Sequence, residues 1–233
     1  MSIFKFKQFE VDQTGCAMKI NTDGVLLGAM VDHQLPRRIL DIGTGTGVIA
    51  LMLAQRFPEA FIQAVEIDEK AAETAERNFV ASVFNERLKV QHVAIEGFNS
   101  DEKFDLIVSN PPFFVNDLKN QEARKGIARH ADEQFFYDLI IKVNELLSAT
   151  GIFWFVLPVK QAEQLISSGI QYGLYLNQQI DLHSDETKPA FRKIVGLSRS
   201  KVALERMQFN IYQAEKVYTQ TYQNLLKPYF LGY

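Results

Sequence analysis

Short apolar runs that close on a turn, each followed by a stretch with helical spacing, constrain this chain more than any other feature. "RRILDIG" (37–43) is apolar and ends in Gly, and "VIALMLAQRF" (48–57) follows with helical spacing and stops before Pro58. "FIQAVEID" (61–68) repeats the strand pattern, and "EKAAETAERNFVASVF" (69–84) reads as a helix with acids in its first turn. "RLKVQHVA" (87–94) and "FDLIVSN" (104–110) read as two more strands, and a helix over about 134–147 leads into the strand "IFWFVLP". Strand alternating with helix predicts an α/β fold built on an open, doubly wound sheet. "NQQIDLHS" and "RKIVGLSRS" are expected to pair antiparallel at one edge.

Two stretches stand outside the alternation. Residues 1–36 carry "TDGVLLGAM", read as a short helix over one end of the sheet. Residues 115–133 are polar with few apolar anchors, and a connection of that length reads as a functional or a disordered loop. No repeat or linker divides the 233 residues, so one domain is expected, and 47% hydrophobic content gives it ample core. The N-terminus lacks the apolar segment of a signal peptide, and no run is long enough to span a bilayer, which together predict a cytoplasmic protein. A single cysteine, Cys16, excludes an internal disulfide and a multi-cysteine metal site, and it is expected as a small buried hydrophobe. No metal and no obligate protein partner are expected. With a net charge of −3, any nucleic-acid contact must come from local basic patches.

The chemistry concentrates at three strand ends. "DIGTGTG" supplies Gly43, Gly45 and Gly47, whose freedom at positive φ allows a tight turn and close approach of a ligand. The spacing is G-x-G-x-G, with Val48 where the dinucleotide fingerprint wants its third glycine. Asp41, just before the loop, is a poor neighbour for a pyrophosphate and a suitable one for the ammonium of S-adenosylmethionine. Glu66, at the end of the second strand, is placed to take both ribose hydroxyls. These signs favour a methyltransferase over a dehydrogenase.

"DLIVSNPPFF" (105–114) then ends the fourth strand beside that site. The Asn110 side-chain carbonyl and the Pro111 backbone carbonyl are two acceptors able to hold both hydrogens of an exocyclic amine. That steers the amine's delocalised lone pair toward a sulfonium. Pro111 and Pro112 make the turn rigid, and Phe113 offers a stacking face for a base taken out of its own stack. Such a reaction needs positioning and desolvation rather than a metal or a strong base.

"DIGTGTG", "EID" and "NPPF" resemble the class I methyltransferases that modify planar amino or amide nitrogens. "FKFKQFEVDQTGCAMKINTDGVLLGA", "ARH", "KPAFRKIVGLSR" and "YTQTYQNLLKPYF" narrow the resemblance, over nearly the whole chain, to the bacterial valine-tRNA adenine-N6 methyltransferases. That resemblance implies a Rossmann-like class I fold: a mostly parallel seven-stranded sheet with helices on both faces and an antiparallel edge strand. It implies residues 1–36 covering the cofactor and 37–233 forming the core. It implies cofactor contacts at Asp41, Gly43, Gly45, Gly47 and Glu66, with Thr22 and Asp23 near the methionine end, and catalytic contacts at Asn110, Pro111, Pro112 and Phe113. The implied substrate is tRNA, at the adenosine immediately 3′ of the anticodon.

One position departs from the family, which carries an Asp after the third strand to accept from the cofactor's adenine amine. Here "VAIEGF" sets Ile95 at that place, so either backbone groups of Ala94 and Ile95 or the side chain of Glu96 take that role. For RNA, Lys119, Arg124, Lys125, Arg129 and His130 form one basic cluster, and Lys188, Arg192, Lys193, Arg199 and Lys201 another. Glutamine-N5 methyltransferases of release factors and guanine-N2 methyltransferases of ribosomal RNA share the Asn-Pro-Pro chemistry. A nucleotide-binding module without catalysis is the alternative of a different class.

Overall fold

The computed structural model describes residues 3–16, 18–112 and 123–232, with side chains of its longest helix described from residue 134 onward. A small hairpin, β1 (Ile3–Lys5) and β2 (Glu10–Asp12), and helix α1 (Thr22–Met30) lead into the alternation. Then follow β3 (Arg38–Ile42), α2 (Val48–Arg56), β4 (Phe61–Glu66), α3 (Glu69–Ala81), β5 (Leu88–His92) and β6 (Phe104–Ser109). Helix α4 (Ala123–Leu146) runs directly into β7 (Leu147–Pro158), followed by α5 (Val159–Gln171), β8 (Tyr175–His183), β9 (Ala190–Ser198) and β10 (Glu205–Asn210). A second hairpin, β11 (Tyr212–Ala214) and β12 (Val217–Tyr218), and α6 (Gln220–Leu226) complete the described fold. No helix among the described residues is long and apolar enough to cross a membrane.

The main sheet has the order β10-β8-β9-β7-β6-β3-β4-β5, and only β9 runs against its neighbours. The expected α/β class is what forms, with two corrections in detail. There are eight strands rather than seven, and the antiparallel strand lies inside the sheet, between β7 and β8. The residues of β9 suit its place: Ile194 packs on one face and Val195 and Leu197 on the other, so the strand is covered from both sides of the sheet. β10, with its first four residues exposed, takes the edge instead.

Period-two alternation sends strand side chains into two cores. Ile39, Val108, Trp154 and Val156 meet α1, α2 and α6 on one face; Leu40, Ile107, Phe153 and Phe155 meet α4 and α5 on the other. Helix α1 packs on α2 closely enough that a Cβ on Gly28 would stand 3.1 Å from Met52 Sδ. Helix α4 begins at Ala123, not near residue 134, so the polar connection is shorter than expected. Ala123, Arg124, Lys125, Ala128, Arg129, Ala131 and Glu133 are strong helix formers, and they extend the helix without an apolar face to announce it.

Candidate active site

The carboxyl ends of β3, β4, β5 and β6 converge on a cleft of about 300 Å³. This is where an open α/β sheet binds ligands, at the point where strand order reverses. From Ile42 the backbone turns through Gly43, Gly45 and Gly47 at φ of +72°, +57° and +83°, values that L side chains rarely adopt. At Gly47 packing adds a second demand, because a Cβ there would lie 2.5 Å from Phe79 Cε1 of α3. The loop is tied to β4: Gly43 N–H and Thr44 N–H donate to Val65 O at 2.9 and 3.2 Å.

Glu66 joins three strand ends. Its Oε2 accepts from Gly45 N–H at 2.8 Å, its Oε1 accepts from Asp68 N–H at 3.0 Å, and its backbone carbonyl accepts from Val93 N–H at 2.9 Å. Each carboxylate oxygen keeps a second lone pair for a ligand hydroxyl. Asp68 is the N-cap of α3, accepting from Ala71 N–H at 2.9 Å. On the far strand, Ser109 Oγ donates to Ile42 O at 3.0 Å, which locks the end of β6 to the end of β3 where both loops begin. Asn110, Pro111 and Pro112 follow directly and line the same cleft as Gly43, Gly45 and Glu66.

Several expected contacts fall elsewhere. Asp41 is fully buried and does not line the cleft; its Oδ2 accepts from Thr44 Oγ1 at 2.6 Å. It steadies the loop from beneath. Thr22 is exposed, and Asp23 forms an ion pair with Arg192, Nε to Oδ2 2.7 Å; neither lines the cleft. Lys193 is paired with Asp181 at 2.9 Å, and an Arg199 guanidinium nitrogen donates to Asn144 O. Because β9 runs antiparallel, Lys188 stands at the cleft end of the sheet and Lys201 beyond the opposite end, so the second basic cluster is divided. Phe113 and Lys119, and the side chains of Arg124, Lys125, Arg129 and His130, lie outside the described residues.

Val65, Ile67 and Val93 of the cleft were not singled out from the sequence. Ile67 is 71% exposed although apolar, and with Val65, Val93 and Ile95 it gives the cleft an apolar wall suited to a planar base. The only sequence signal for it is its place directly after Glu66. The Ile67 carbonyl is held by His92 Nε2 at 3.0 Å. Ile95 is itself buried in the second core, with the backbone of Ala94 and the exposed Glu96 beside it on the cleft wall. Cys16 is only partly buried and lines the cleft, and burial pushes its thiol above the ordinary value, which opposes a nucleophilic role.

The buried carboxyl of Asp41 gives a pH-dependent prediction. Burial raises its pKa to about 7, against the lowering effect of the Thr44 hydroxyl. The folded pKa thus lies above the unfolded value, so between the two the folded state keeps a proton that the unfolded chain has released. Stability from this group is complete at acid pH and is lost as pH rises toward and through 7. Asp41→Asn carries no such penalty. It should gain stability over the parent as pH rises from about 4 to about 8, by up to about 4 kcal/mol. Urea denaturation of both proteins across that range is the check, and a pH-independent difference would contradict it.

A cleft that is apolar where a base would lie, and polar where a ribose and a charged tail would lie, is how a methyltransferase holds its methyl donor. The chain belongs to the methyltransferase small domain family, which matches residues 16–167. A relative from Pedobacter heparinus named tRNA1(Val) (adenine(37)-N6)-methyltransferase is 55% identical over 230 residues, 99% of this chain and 98% of its own. The fold matches that of a predicted O-methyltransferase from Agrobacterium tumefaciens with a TM-score of 0.70, at 18% identity over 89% of this chain and 96% of that one. A glycopeptide N-methyltransferase solved with S-adenosylmethionine matches with a TM-score of 0.59, at 13% identity over 80% of this chain and 99% of that one.

Proposed function

We propose that the chain methylates N6 of an adenosine in tRNA, the adenosine immediately 3′ of the anticodon of valine tRNA, in the cytoplasm. The observation that carries this reading is the Asn110–Pro111–Pro112 turn, which opens into the cleft bounded by Gly45 and Glu66, in a chain 55% identical to an enzyme of that name. S-adenosylmethionine is the methyl donor, and it supplies a methyl group already activated on a sulfonium. The residues present fit it. Glu66 has lone pairs for its ribose, Ile67 and Ile95 have apolar surface for its adenine, and the loop of Gly43 and Gly45 lets its tail approach the backbone.

The remaining work belongs to the protein. Adenine N6 is a weak nucleophile because its lone pair is delocalised into the ring. The Asn110 side-chain carbonyl and the Pro111 backbone carbonyl accept its two hydrogens, which favours a lone pair directed out of that plane. Pro111 and Pro112 have no backbone N–H, so those two positions offer the substrate only backbone acceptors. Phe113, next in sequence, is assigned to stack on the displaced base. With Arg192 and Lys193 engaged by carboxylates, phosphate contact is assigned to Lys188 and to Arg124, Lys125, Arg129 and His130.

The class of acceptor tests this reading. The purified protein would be incubated with labelled cofactor and, separately, with total tRNA, ribosomal RNA and release factor. Label confined to tRNA and recovered as N6-methyladenosine is expected. Label in ribosomal guanine or in a protein amide would overturn the reading.

A further inference from the structure

We infer that Asn21, the N-cap of α1, is a positioning residue that sets the sense of the Asn110 amide; this rests on the proposed role of Asn110 as acceptor for the target amine. A backbone N–H can only donate, and Gly24 N–H donates to Asn21 Oδ1 at 2.9 Å. That contact makes the shared atom of the Asn21 side chain an oxygen. The same oxygen lies 3.5 Å from Asn110 Nδ2. Turning the Asn110 amide over would set two carbonyl oxygens against each other. Its nitrogen is therefore held toward α1, and its carbonyl oxygen is left for the substrate. In the opposite sense Asn110 would offer an NH2 group to an amine, donor against donor, and could not steer a lone pair.

The surroundings support this arrangement. Gly24 leaves the pair just enough room: a Cβ there would lie 3.4 Å from Asn110 Nδ2 and 3.5 Å from Asn21 Oδ1. The turn carrying Asn21 is braced from the sheet, because Asp23, one residue inside the helix, is paired with Arg192 of β9 and both side chains are mostly buried. β9 pairs with β7 and β7 with β6, the strand that ends one residue before Asn110. The strand that braces α1 and the strand that leads to Asn110 thus belong to one sheet.

The test is steady-state methylation of tRNA by the parent, Asn21→Gly, Asn21→Asp and Asn110→Ala. Glycine serves nearly as well as asparagine at an N-cap, so Asn21→Gly removes the acceptor with little cost to the helix. It should lower kcat about 3- to 5-fold, the lower part of the range for one net hydrogen bond, as suits a contact of this length, with KM for both substrates within about twofold. Asn21→Asp, whose carboxylate accepts both contacts, should restore the parental kcat. Should the glycine variant melt early, Asn21→Ser keeps the cap with a hydroxyl too short to reach Asn110 and should show the same loss. Parental kcat in Asn21→Gly or Asn21→Ser, or an aspartate variant as slow as the glycine one, would overturn the inference. Asn110→Ala separates the two levels: if it turns over normally, the reading of Asn110 itself fails.

Discussion

Asn110→Ala should lower methyl transfer by about 100-fold or more, the scale seen when one preorganised polar contact to a reacting centre is removed. Cofactor affinity should stay within a few-fold, because Asn110 sits at the end of β6 while the cofactor's ribose and tail are assigned to Glu66 and the glycine loop. The folded state should be little changed, since Asn110 is partly exposed and Ser109 and Pro111 keep the strand end in place. Single-turnover rates at saturating cofactor measure the loss without interference from product release. A mutant that retains near-parental turnover would remove the acceptor mechanism altogether.

The second large effect is on cofactor binding. Glu66→Ala removes the ribose acceptor and also frees Gly45 N–H and Asp68 N–H, the two backbone groups its carboxylate holds. The loss should be about 1.5–3 kcal/mol in S-adenosylmethionine affinity by calorimetric titration, the range for hydrogen bonds to a charged group. Glu66→Gln should lose nearly as much. Its one oxygen cannot serve both backbone donors, and its NH2 would face one of them. A glutamine variant with parental affinity would mean that Glu66 serves only the loop backbone and not the ribose.

The parts of the site governed by local chemistry were legible in the sequence. The three glycines mark a turn whose φ values almost require glycine, and the acid closing β4 has its place from the strand that carries it. Asp41 shows where local reading stops. Adjacency to the loop suggested a ligand contact, but Leu40 and Ile42 share one face of β3, and alternation turns Asp41 to the other, beneath the loop and α2. Arg192 and Lys193 read as a basic patch because the carboxylates that pair with them, Asp23 and Asp181, lie 169 and 12 residues away. The interior place of β9 had the same cause: its antiparallel pairing was legible, but its partners on either side were not. Helix α4 escaped at its start for want of an apolar stripe, so propensity alone marked its first turns.

The cleft is assigned one adenosine of tRNA, beside the anticodon, for methylation at N6. Two transcripts of valine tRNA, identical except for adenosine or guanosine immediately 3′ of the anticodon, test it most directly. Each would be incubated with the protein and labelled cofactor, digested, and its nucleosides identified. The account predicts a single N6-methyladenosine at that position in the first transcript and no label in the second. Equal labelling of both, or a methyl group on guanine N2, would contradict it.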